Sequence, residues 1–386
     1  MCGKWETSDD IAPGHPKGGH FEIAGIRLPI TICDTHEGEP ECDDSIALLA
    51  DQVERVQPPI VCGFVTSQAA SEFLGFLRGR LYGNKRVCWP AVILPMATSS
   101  DILRRDHNKD EDNPLPIIRL VANNQEQVNA ISQCVVEIDK QSARTGKNTV
   151  AIFRDGENIA YARNLADAFR IEVESRGIAV ILDSVFGSDR GSVDLSLLLH
   201  KPEYIVFFGM LNSAIPLVRQ VQRFVAFSNQ TPFGLRAEES EEWHPQIFVS
   251  DGSCRESLWD LIARPNELNG IQGFFPANKT NLETTHPLAA VPWNGWLNAP
   301  SFFEVGHDTA VLIAHLLYDV AKERQQPDSE QLAAALCRLS LASRTHDYSY
   351  VDNERLLLQR YRFDKYGDVM GKSYETWKLQ DGRWQR

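Results

Sequence analysis

The sequence predicts an α/β protein of two lobes, each built on a doubly wound parallel sheet. Three observations carry that expectation. A chain of 386 residues exceeds what a single hydrophobic core of usual size encloses, so two domains are expected. Short β-rich runs alternate with amphipathic helical stretches, the pattern of parallel sheets covered by helices. Each strand passes to its helix through Gly, Ser, Asp or Thr, residues that turn the chain and cap helices.

Taken in order, the first half predicts a strand at 28–33, a helix at 44–56, a strand at 60–65, a helix at 69–79 and a strand at 91–94. A second series follows the polar segment 122–126: a helix through Ile138, a strand at 149–153, a helix at 160–174, a strand at 179–184, a short helix near Leu195 and a strand at 204–208. It continues with a helix at 214–223, a strand at 246–250, a helix after Cys254 and an apolar run at 270–275. Helices are expected at 308–323, apolar around most of its circumference, and at 330–339. In the tail, 360–363 and 373–379 alternate apolar with polar residues around Asp364-Lys365-Tyr366-Gly367-Asp368, which predicts a hairpin closed by that turn.

Composition excludes several classes of function. A net charge of −13 repels a phosphate backbone, and no basic cluster offsets it, so nucleic acid is not an expected partner. The longest apolar stretches, Tyr204 to Met210 and Thr309 to Leu317, fall short of the roughly 20 residues of a membrane-spanning helix. No basic and apolar leader precedes the first strand. Met1-Cys2-Gly3 has two readings, an accidental cysteine or the remnant of a lipidated end. Eight cysteines without a Cys-x-x-Cys pair disfavour structural zinc. The acidic runs 36–44 and 107–113 fit no calcium loop and are expected to be solvated loops, so neither a metal nor a cofactor is called for.

Ligands of doubly wound sheets bind beyond the carboxyl ends of the strands. Two such ends carry hydroxyls: Thr66-Ser67-Gln68, and Pro95-Met96-Ala97-Thr98-Ser99. Hydroxyls and free N–H groups at a helix start form a neutral cradle for a carboxylate or phosphate; the competing reading makes Ser67, Thr98 and Ser99 helix caps. Asp251, after the strand at 246–250, either receives a ligand ammonium or caps the next helix. Tyr161, at the start of the helix at 160–174, either covers a ligand or packs on its lobe. No Gly-x-Ser-x-Gly, phosphate-loop, dinucleotide or His-Glu-x-x-His motif is present, so the expectation is a binder and not an enzyme.

Several segments resemble, in order, the type I periplasmic substrate-binding proteins of the leucine/isoleucine/valine branch of ABC transport. Ile32-Cys33-Asp34-Thr35 resembles the family's strand ending in an acidic residue. Val61 through Ser67 resembles its strand running through Gly into Ser-rich contacts, and Leu94 through Ser99 its Ser-Pro-x-Ala-Thr element. Val150 to Asp155 with Tyr161-Ala162-Arg163-Asn164-Leu165 is similar to the family strand and its Tyr-Gly-x-Gly-Leu helix start. Phe207-Phe208-Gly209, Ser250-Asp251-Gly252 and His307-Asp308-Thr309-Ala310 follow in register, and 363–384 resembles the closing hairpin.

The resemblance implies two lobes, 1–121 with 277–361 and 122–276 with 362–386, joined by three hinge crossings. It implies a solute held in the cleft between them, with Ser67, Ala97 and Thr98 on its carboxylate, Asp251 on its ammonium and Tyr161 contacting it from the second lobe. An amino acid or relative is the implied ligand, an ABC permease the implied partner, and a periplasmic or lipid-anchored location the implied setting. A ligand-sensing domain is the alternative, and an enzyme of unidentified chemistry the more remote one. Two departures stand out: Met210 replaces a ligand-covering aromatic, and the family's first βα unit is expected to be missing ahead of Phe21.

Overall fold

A computed structural model describes residues 5–7, 17–23, 26–32, 42–58, 60–81, 90–107, 117–141, 148–186, 198, 200–229, 243–254, 270–276, 305, 309, 312–313, 351–352, 356–357, 362–364, 367–380 and 383–385. The chain forms two compact units, Met1–Val121 with Thr280–Gly371 and Ala122–Lys279 with Lys372–Arg386. It therefore passes between them at three points.

The first unit opens with β1 (Trp5–Thr7), β2 (Lys17–Ile23) and β3 (Ile26–Ile32), an antiparallel sheet in the order β1-β2-β3. Here the structure corrects the expectation for 28–33. That segment pairs with β2 as a hairpin, Ile23 opposite Ile26 and Lys17 opposite Ile32, and not as a strand of a parallel sheet. Only two residues lie between β2 and β3, and a connection that short joins antiparallel neighbours, whereas a parallel crossover needs a dozen or more.

Next come α1 (Cys42–Val56), β4 (Ile60–Cys62), α2 (Ser67–Leu81), β5 (Ala91–Leu94), α3 (Ser100–His107) and β6 (Ile117–Arg119). The strands form a parallel sheet, β4-β5-β6. Ile46, Ala50 and Val53 recur at helical spacing and bury one face of α1; Ala70, Phe73, Leu74 and Leu77 do the same for α2. Both stripes share a core with Val92 and Leu94 of β5. Each fully buried large apolar side chain of this kind contributes about 1.5–3 kcal/mol relative to exposure.

The second unit contains α4 (Asn124–Gln141), β7 (Thr149–Asp155), α5 (Ile159–Ser175), β8 (Ala179–Phe186), β9 (Tyr204–Phe208), α6 (Leu211–Asn229), β10 (Gln246–Val249) and β11 (Gln272–Pro276). After β12 (Val351–Asp352), β13 (Leu356–Leu357), β14 (Arg362–Phe363) and β15 (Val369–Met370) of the first unit, the chain closes with β16 (Tyr374–Gln380) and β17 (Arg383–Gln385). The second unit's sheet has the order β17-β16-β11-β10-β9-β7-β8. Strands β8, β7, β9, β10 and β11 are parallel, and β16 and β17 add an antiparallel edge.

Alternation along those strands places one residue set on each face. Phe153, Ile205, Phe207 and Val249 meet Leu211, Ala214 and Val218 of α6. Ile152, Val206, Phe208 and Phe248 meet Ile131 of α4 and Leu165 and Phe169 of α5. Helices thus cover both faces, the doubly wound arrangement, and every residue of β9 is buried, which explains its unbroken apolar sequence.

The tail is a second correction. The segment 364–368 lies between β14 and β15, which pair with each other, Phe363 opposite Val369, while β16 pairs with β11 and β17. Tyr374 and Leu379 of β16 are buried in the two opposite cores of the sheet, and the apolar-polar pattern of the segment does not select its partner. The helices expected near Leu195, after Cys254 and at 330–339 lie outside the described residues, as does most of the one at 308–323.

Gly367 occupies φ +89°, and a Cβ there would stand 2.2 Å from the Ile117 carbonyl oxygen. Gly367→Ala is therefore expected to destabilise the first unit by about 2 kcal/mol or more, from left-handed backbone strain and overpacking together. The midpoint of urea denaturation measures it.

Candidate functional site

In the first unit two strand ends meet. Beyond β4 the chain turns through Phe64, held at φ 71° with its ring 4.7 Å from that of Phe73. Thr66 Oγ1 then accepts the Ala69 amide at 3.2 Å, so Thr66 caps α2. Ser67, 2% exposed, is thereby released from capping. Its Oγ accepts the Ser99 amide at 3.0 Å and ties this loop to the one after β5. Ala97 and Thr98 are buried beside it. Thr98 makes no hydrogen bond to a described residue, so its hydroxyl is unspent.

Beneath this loop lies Arg119, the last residue of β6 and 0% exposed. Its Nη1 donates to Ala97 O at 3.1 Å and Ser99 O at 2.8 Å, its Nε donates to Asp368 Oδ1 at 2.6 Å, and its Nη2 donates to the same oxygen. The Arg119 amide also donates to Gly367 O at 2.9 Å. None of this was legible in the sequence, because the pair is 249 residues apart.

In the second unit Asp251 begins a 3-10 turn, Asp251–Ser253, directly after β10. Its Oδ1 accepts the Tyr161 hydroxyl and, at 2.8 Å, the Gly252 amide; its Oδ2 accepts the Tyr374 hydroxyl at 2.9 Å. Ser250 occupies the cap position of that turn, so Asp251 does not cap it. The structure brings Tyr161 and Asp251 together, and adds Tyr374 from β16 and Gln127 from α4, whose Oε1 lies 3.4 Å from the Tyr161 hydroxyl. Neither addition had a local signal: each reaches Asp251 only through the pairing of β16 with β11 or the packing of α4.

Burial pushes the Asp251 carboxyl above the ordinary range, against the opposing hydrogen bonds of Tyr161, Gln127, Tyr374 and Gly252. Burial, reinforced by the Asp251 charge, raises the Tyr161 phenol further out of reach of titration. No cationic side chain among the described residues pairs with Asp251. Asp155, at the end of β7, braces the neighbouring strand end: it accepts the Met210 amide at 2.8 Å, the Ser213 hydroxyl at 3.1 Å and the Glu157 amide at 2.9 Å. Its carboxyl is likewise raised by burial. Gly209 passes so close that a Cβ would stand 2.4 Å from Asp155 Cβ. Among the described residues no three His, Cys, Asp or Glu side chains gather as a metal site, and no helix is long and apolar enough to cross a membrane.

Solved structures share this architecture. A leucine-binding protein, LivK, from Thermotoga maritima matches with a TM-score of 0.65 and 15% identity, over 94% of this chain and 88% of that one. The fold is that of the type I periplasmic binding proteins. Two further structures match over the same 94% of this chain. LivJ of Streptococcus pneumoniae, a branched-chain amino acid transporter substrate-binding protein in complex with isoleucine, has a TM-score of 0.62, 15% identity and 87% of its own chain covered. A solute-binding protein of an ABC transporter from Rhodopseudomonas palustris, in complex with 3,4-dihydroxybenzoic acid, has a TM-score of 0.61, 14% identity and 85% covered. No protein-family model and no curated protein sequence matches the chain.

Proposed function

We propose that this protein captures a small solute carrying both a carboxylate and an ammonium, an amino acid or a close relative, and delivers it unchanged to an ABC-type permease outside the cytoplasm. The observation that carries the reading is Asp251. A carboxylate 5% exposed, with its pKa raised by burial and no cation beside it among the described residues, is a costly group to keep unless a cation arrives. A ligand ammonium meets that need, and Tyr161 and Tyr374 fix the carboxylate's orientation for it. The Thr98 hydroxyl, with Ser67 and Ala97, serves the carboxylate of the same solute. That Asp251 sits on a strand end of a type I fold supports capture over chemistry. Isoleucine in one structural neighbour and an aromatic acid in another share a carboxylate, and Asp251 selects the solute that also bears an amine.

Isothermal titration with L-leucine, L-isoleucine, L-valine and 3,4-dihydroxybenzoate tests this. An amino acid is expected to bind and to be recovered chemically intact, and Thr98→Val is expected to weaken it about tenfold, the size of one hydrogen bond to a charged group. Preference for the amine-free acid, or conversion of the solute, overturns the reading.

A further inference from the structure

We propose that Arg119 and Asp368 are positioning residues for the loop at 97–99, setting the direction of the donors that receive the solute's carboxylate; this rests on the carboxylate reading of Ser67, Ala97 and Thr98 above. Three facts lead there. First, the guanidinium is wholly buried and paired with a carboxylate whose side chain is 6% exposed. A buried ion pair of this kind seldom stabilises a fold more than apolar side chains of equal volume would, so stability alone does not account for it.

Second, the donors of the fork are divided between two partners. Nε and Nη2 hold Asp368 Oδ1, and Nη1 is spent entirely on the carbonyls of Ala97 and Ser99. A trans peptide points its C=O and N–H in opposite directions. Gripping the Ala97 and Ser99 carbonyls from below therefore turns the N–H groups of Thr98 and Ser100 away from Arg119, beside the unspent Thr98 hydroxyl and at the start of α3. The planar fork suits this where the ammonium of lysine does not.

Third, the opposite end of the clamp is itself held in place. Asp368 is set by its amide donating to Asp364 Oδ1 at 2.9 Å and by the backbone contact of Gly367 with Arg119. The loop thus takes its orientation from a segment distant in sequence. Arg119 touches no solute itself; it acts through the peptides it holds.

The test compares L-leucine with L-leucinamide, which keeps the ammonium and lacks the carboxylate, by isothermal titration of the full chain. Arg119→Met is expected to weaken L-leucine at least tenfold while leaving L-leucinamide within twofold of wild type, and Arg119→Lys, which keeps the charge opposite Asp368, to fall between. Thermal denaturation confirms that each variant is folded, and Arg119→Lys carries the test if the methionine variant is not. A folded variant that binds L-leucine as wild type does overturns the inference, as do equal losses for both probes, which mark a structural role. Failure of the wild type to bind any of the amino acids removes the carboxylate reading and this inference with it, a different outcome from a variant that binds normally.

Discussion

Asp251→Asn is expected to reduce amino acid affinity by two to three powers of ten while leaving the empty protein folded. Removing one partner of a desolvated charge pair costs about 3–5 kcal/mol, and the lower part of that range converts to two to three powers of ten in affinity. The fold is spared because the substitution also removes a buried carboxyl with no cation beside it. Asparagine can still accept the Tyr161 hydroxyl and the Gly252 amide through its oxygen, and loses the acceptor only toward Tyr374. Titration calorimetry reads the affinity and thermal denaturation the fold. Unchanged affinity in the folded variant would make Asp251 a structural carboxyl and direct attention to amine-free acids.

The second large effect is a pH dependence whose sign follows from burial. The carboxyls of Asp251 and Asp155 are both raised in the folded protein. A raised acid favours folding while it is protonated, so its contribution is fully present below the unfolded carboxyl value and is lost as pH rises through the folded one. The empty protein is expected to lose stability across that window. An ammonium ligand reverses the sign at Asp251, because it binds the ionised form and expels the proton. Affinity should then rise about tenfold per pH unit below the folded Asp251 value and level off above it. Calorimetry in buffers of different ionisation enthalpy should count close to one proton released within the window. Proton uptake, or flat affinity across it, contradicts the assignment.

Much of the architecture is legible because burial leaves a period in the sequence. Strands β5 and β9 fall at the residues expected, since four or five apolar residues in a row between turn signals mark a strand buried on both faces. Helices α1, α2 and α5 follow from apolar spacing of three and four. Strand β6 escapes notice because it is three residues long and ends in an arginine, whose place in a core depends on a carboxylate far along the chain. The antiparallel pairing of β2 with β3 and of β16 with β11 is a tertiary choice, and alternation along a strand identifies a buried face without naming a neighbour.

The candidate site is legible in the same uneven way. Ser67, Thr98 and Asp251 stand out because doubly wound sheets present ligand groups at strand ends, and each ends or follows a strand. Whether they cap helices is not decided by sequence; in the folded chain Thr66 and Ser250 hold the cap positions beside Ser67 and Asp251. Arg119, Asp368, Gln127 and Tyr374 carry no such mark. Each reaches its partners through packing between segments that only the folded chain brings together.

A crystal structure of the protein with bound L-leucine, or with whichever panel member binds best, tests the central claim most directly. The account predicts one solute molecule whose carboxylate accepts from the Thr98 hydroxyl and whose ammonium donates to Asp251. A solute that engages only one of these two residues, or neither, contradicts it.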